Sequence, residues 1–148
     1  VSASIVIGSR ELERLMKSLE QPSARLEQLL DAIGQQQEDS ARYRISQTKR
    51  GPDGARWAPW SKRYAKTRGA GHSLLRDQGH LMDSLTHNVL GTHAVEIGSN
   101  MHYAGYLQEG TEDMPARPFL NVDGIEDPTD RQEIREIVRA WFNDSVSA

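Results

Sequence analysis

The sequence predicts an α+β fold: a small antiparallel sheet with long N-terminal helices, a long central loop and a C-terminal helix. Three observations predict it. Residues 86–90 and 94–99 alternate, with Val95 and Ile97 on one face, and Gly91-Thr92-His93 between them supplies a hairpin turn. Before residue 48 the leucines and isoleucines recur every three or four residues, the period of a helix buried on one side. Near the end, Asp127-Pro128 pairs an N-cap acid with a first-turn proline and opens a stretch whose Ile134, Ile137, Val138 and Trp141 share one face.

The remaining elements follow in chain order. Ile5, Val6 and Ile7, closed by Gly8, read as an edge strand. A helix starting at Ser9 carries Leu12, Leu15, Met16 and Leu19. A second runs roughly from Pro22 to Gln47 with Leu26, Leu29, Leu30, Ile33, Ala41 and Ile45 inward. Gly34 interrupts it at a cost of about 1 kcal/mol relative to Ala, and the polar run Gln35 to Ser40 is expected to project beyond the core. Leu74 to Leu85 reads as a turn into a short helix with Leu81 and Leu85 facing inward. Tyr103 to Glu109 is a further short helix stopped by Gly110. Phe119, Leu120 and Val122 resemble one more strand.

At 148 residues, 36% hydrophobic and 26% charged, the chain fits one domain, 1–148, with much surface relative to core. Cysteine is absent, which excludes a disulfide framework and a thiolate nucleophile. No apolar run approaches the roughly 20 residues needed to span a bilayer, and no signal-peptide pattern opens the chain; the expectation is a soluble protein made inside the cell, with no membrane partner. Charge is unevenly placed. From Lys49 to Arg76 eight cations face Asp53 alone, a net +7, which leaves −10 for the rest of a chain totalling −3. That basic stretch lies in an aperiodic excursion of about residues 48–80, longer than the roughly 12–15 residues usual for a plain loop.

Catalytic patterns are missing. His72, His80, His87, His93 and His102 form no helical i, i+4 pair and no HExxH, so they read as surface and loop histidines. His80 and Asp83 share a spacing but lack a third ligand. No GxSxG elbow or phosphate loop is present: Gly69-Ala70-Gly71 lacks the Lys-Ser/Thr that must follow. The expectation is a protein that is not an enzyme, with no metal and no cofactor. The central loop interleaves Arg56, Trp57, Trp60, Lys62, Arg63 and Tyr64. Such mixtures stack on bases and pair phosphates, which makes Lys49, Arg50, Arg56, Lys62, Arg63, Lys66 and Arg68 the DNA-facing candidates. Trp, Tyr and Arg also dominate protein–protein hot spots, the preferred reading here.

Four segments carry a resemblance. Gly51-Pro52-Asp53-Gly54-Ala55-Arg56-Trp57-Ala58-Pro59-Trp60-Ser61 resembles the "PDGxxW-x-P-hydrophobic-Ser" loop of the phage virion morphogenesis (tail completion) family of Mu-like and related tailed phages. Leu74-Leu75-Arg76-Asp77-Gln78-Gly79-His80-Leu81 is similar to its "Leu-Arg-Asp-Thr-Gly-x-Leu" segment. Val95 to Ser99 followed by Tyr103-Ala104-Gly105-Tyr106-Leu107-Gln108-Glu109-Gly110 is similar to its "Tyr-Ala-x-x-His-Gln-x-Gly", with Leu107 where the family usually has His. Met114-Pro115-Ala116-Arg117-Pro118-Phe119-Leu120 matches "Pro-Ala-Arg-Pro-Phe-Leu".

The resemblance implies a structural protein of the virion tail or neck, made in the host cytoplasm, that completes the tail and helps join it to the head. Related tail-terminator and head–tail joining proteins commonly form rings, often hexamers. The implied partners are further copies of the chain, the tail tube, head–tail connector proteins and genomic DNA in the lumen. Pro52, Asp53, Gly54, Trp57, Pro59, Trp60, Tyr64, Arg117 and Phe119 become the candidate contact residues with a neighbouring subunit or partner.

Overall fold

The computed structural model describes residues 3–8, 23–67, 73–75, 79–91, 93–122 and 124–147. The helix expected from Ser9 lies outside them. The fold is α+β. Strands β1 (Ala3–Gly8), β2 (Leu85–Leu90) and β3 (Ala94–Ser99) form an antiparallel sheet in the order β1-β3-β2. Helix α1 (Ser23–Tyr43) crosses β2 and β3 and also packs against α5 (Pro128–Ser147). Three short helices complete the set: α2 (Lys62–Ala65), α3 (His80–Ser84) and α4 (Ala104–Glu109).

Register explains the alternation. The rows Ile5–Ile97–His87 and Ile7–Val95–Val89 share the face that carries the fully buried Val95 and Ile97. The opposite face carries Val6 at 58% exposure, with Ser4, Thr86 and Asn88 also exposed. Leu29, Leu30, Ile33, Ala41 and Ile45 close the core from the helical side, as their spacing predicts.

The α1 helix ends in a π-helical turn, Arg44–Thr48, closed by Lys49 in the left-handed region at φ 54°. Together they match the expected span. Asp127 caps α5 as expected, its carboxylate accepting from the Thr129 N–H at 2.8 Å. Trp141 anchors the far end by donating its indole N–H to the Arg25 carbonyl at 2.9 Å, with the Arg25 guanidinium 5.7 Å above the ring.

Two expectations are corrected. The polar run of α1 does not project: Gln36, Gln37 and Glu38 are buried, because α5, Asn121 and the pair Arg42 and His87 respectively supply partners for them. Asp130 of α5, fully buried, accepts from Ser40 Oγ at 2.5 Å, Gln36 Nε2 at 3.1 Å, Asn121 Nδ2 at 3.0 Å and Arg44 Nη2 at 2.5 Å. Asn121 Nδ2 also donates to Gln37 Oε1 at 2.9 Å, and its Oδ1 accepts from the Glu126 and Asp127 N–H groups. Buried polar side chains persist when each meets a partner, and these do.

Phe119 and Leu120, expected in a strand, join no ladder. The side-chain amide of Gln108 stands in for one. Its Oε1 accepts from the Phe119 and Leu120 N–H groups at 3.0 and 3.1 Å, and its Nε2 donates to the Leu120 carbonyl at 2.9 Å. Val122, the third apolar residue of that run, is 59% exposed.

His87 also departs from the surface reading. It sits half-buried on β2, with Nε2 2.7 Å from Asp31 Oδ1 and Nδ1 in contact with Glu38. Only the imidazolium donates from both nitrogens at once. Burial pulls its pKa down, but the hydrogen bonds it donates to Asp31 and Glu38, with the attraction of their charges, outweigh that and leave it above the ordinary 6.5. A raised folded pKa stabilises below the unfolded value and loses that contribution as pH rises through the folded one. Thermal melts should therefore show the advantage of wild type over His87→Gln shrinking as pH rises above about 6.5. A difference independent of pH would refute the charged clasp.

Gly34 lies directly over this ring. A Cβ there would come within 2.4 Å of His87 Cδ2 and 2.9 Å of Val95 Cγ2. The glycine that weakens the helix thus allows α1 to approach the sheet. Gly34→Ala should lower stability by about 1–2 kcal/mol in chemical denaturation, since a packing cost of about 2–3 kcal/mol exceeds a helix-propensity gain of about 1.

Candidate functional site

The central loop folds back on its own chain. Gly51 N–H donates to the Ala55 carbonyl and Gly54 N–H to the Gly51 carbonyl, both at 2.9 Å, while Asp53 Oδ1 accepts from the Ala55 N–H at 3.0 Å. Gly54 takes φ 85°, the left-handed position this tight turn requires. Pro52 is buried, whereas Asp53 and Gly54 are exposed at the tip.

Beyond the turn, Trp57 plunges inward and is 5% exposed. Its backbone N–H donates to the Lys49 carbonyl at 3.0 Å and its indole N–H to the Pro118 carbonyl at 2.9 Å. Arg117, 6% exposed, answers from the other side: Nε donates to the Ala58 carbonyl at 2.8 Å and Nη2 to the Pro59 carbonyl at 3.1 Å. The Arg117 N–H itself donates to the Leu107 carbonyl at 2.8 Å. Three segments far apart in sequence, around residues 51–60, 103–110 and 114–120, are thereby locked into one unit.

This changes the roles of several candidate contact residues. Trp57 and the fully buried Phe119 are spent inside this chain and leave almost no surface for a neighbour. An aperiodic loop gives no phase from which to tell an inward tryptophan from an outward one. Trp60 and Tyr64 instead lie at the surface of the chain. Their rings meet edge to face at 5.8 Å, and Tyr64 is 43% exposed. With Pro59 they form one wall of a groove of about 930 Å³. Tyr103, Leu107 and the 47% exposed Tyr106 of the α4 region, together with Met114 and Pro115, also line it, as do Leu81 and Arg117. Sequence reading missed the tyrosines of α4, although they sit in a segment it had singled out as a motif.

The charges divide as well. Lys49 points inward, its ammonium donating to the Ser73 hydroxyl at 2.9 Å and to the Leu74 and Ile45 carbonyls, where it satisfies a helix C-terminus rather than facing DNA. Arg50 donates to the Gly54 carbonyl at 3.0 Å. Arg56, Lys62, Arg63 and Lys66 are exposed and have no carboxylate partner among the described residues; Arg68 lies outside them. The Arg117 guanidinium likewise has no carboxylate partner among the described residues, and burial pulls its pKa below the ordinary arginine value against a smaller upward effect of Tyr64.

Among the described residues no group of three or more His, Asp or Glu converges as a metal-binding set, and no helix is long and apolar enough to cross a membrane. The geometry is an aromatic-walled groove beside an exposed basic arm. No curated protein and no solved structure matches significantly. The family model of the phage virion morphogenesis family matches residues 7–143, a span that includes the central loop, the groove and both long helices. On that match over nearly the whole length, the chain belongs to the phage virion morphogenesis family.

Proposed function

We propose that this virion assembly protein acts in tail completion and head–tail joining, as one subunit of a homo-oligomeric ring at the tail end or neck. The observation that carries this reading is the convergence of the family's motif segments on one groove whose rims, Trp60, Tyr64 and Tyr106, are more exposed than internal packing requires. A chain with so much surface and a modest core gains by burying such a face in a closed assembly. The partners on this reading are neighbouring copies, the tail tube and the connector.

The test is complementation of particles lacking the protein. Trp60→Ala combined with Tyr64→Ala should lower infectious yield by about tenfold or more while leaving the melting temperature nearly unchanged, as expected for interface anchors outside the core. A monomeric protein that fails to join tails, with the double variant still supporting full infectivity, would sink the reading.

A DNA contact from the ring lumen is the second reading, favoured by the exposed Arg56, Lys62, Arg63 and Lys66, which have no carboxylate partner among the described residues. Binding to duplex DNA should then fall steeply with salt as counterions are released. Absence of binding at low salt removes it.

A further inference from the structure

Arg117 brings a positive charge to the aromatic groove that no carboxylate among the described residues balances. The residue is 6% exposed, and two of its nitrogens are held by the carbonyls of Ala58 and Pro59. Its Nη1 has no acceptor among the described residues and is not enclosed by them. A carboxylate arriving in the groove would gain a charge-assisted hydrogen bond there.

We propose that the groove is the seat of a second copy of this chain, and that an acidic side chain of that copy pairs with Arg117 while its apolar neighbours pack between Tyr64 and Tyr106. The inference rests on the ring reading above and specifies the contact that would build it.

Charge complementarity selects the occupant. The arm beside the groove exposes Arg56, Lys62, Arg63 and Lys66, whereas the chain outside residues 49–76 carries a net −10, so a neighbouring copy offers the opposite sign to this face. Such a contact, one patch against a different patch, is heterologous, the type that builds a ring when the rotation between copies closes.

Sedimentation of the full chain over a range of concentration and salt tests this. Wild type should self-associate, more weakly as salt rises. Tyr106→Ala, a change at an exposed ring, should weaken association at least about tenfold with an unchanged melting temperature. Arg117→Gln, checked for folding by the same melt, should weaken it and flatten the salt dependence. An oligomer that forms but ignores both substitutions overturns this contact and leaves the ring reading standing. A protein that stays monomeric at every concentration overturns the contact, and the particle complementation then judges the ring reading separately. Protection of the groove tyrosines by duplex DNA rather than by self-association also overturns it.

Discussion

Asp130→Ala should destabilise the protein by about 3–5 kcal/mol, a large part of the roughly 5–15 kcal/mol that holds a domain of this kind together. The carboxylate is fully buried and accepts from four side chains on α1, the π-turn and the 121 segment. Removing it strands Arg44, which is also buried and donates to the Phe119 carbonyl at 2.9 Å. Asp127 remains 2.9 Å from Arg44 and limits the loss. Asp130→Asn should fare little better, because its amide would present donors to donors. Burial pushes the Asp130 pKa up, but Ser40, Arg44, Asn121 and Gln36 outweigh it and leave the group below the ordinary 3.8. A depressed folded pKa stabilises above the unfolded value, and that contribution drains away as pH falls through the folded one. Urea titrations of wild type and Asp130→Ala should therefore converge below about pH 3.8; a gap that persists in strong acid would contradict the assignment.

Trp57→Ala should cost a similar amount, about 3–5 kcal/mol, through lost burial and a lost hydrogen bond to the Pro118 carbonyl. Trp60→Ala, three residues on, should cost under about 1 kcal/mol in the same denaturation experiment. Equal losses at the two positions would contradict the division between an inward anchor and an outward wall.

That division marks the boundary of what the residues disclose on their own. The hairpin was legible because alternation and turn composition agree, and the start of α5 because Asp127-Pro128 is a local signal. The buried centre of α1 was not legible. Gln36, Gln37 and Glu38 look like a solvated face until Asp130, Asn121 and His87, each far away in sequence, are placed against them. Phe119 and Leu120 show strand-like residues because they are buried, but burial does not reveal that a glutamine supplies their hydrogen bonds. The motif segments of the groove were legible as pieces. Their meeting point was not, since an arginine reaching back to the carbonyls of Ala58 and Pro59 leaves no trace in sequence spacing.

Gln108 has a consequence for how copies of this chain meet. A strand paired to a neighbouring strand offers its other side to the next chain, and such additions have no natural end. By tying Phe119 and Leu120 to a single side chain, the protein holds an extended apolar segment in place without extending its sheet. On the ring reading proposed above, this segment then meets a neighbour through shape and charge rather than by adding a strand.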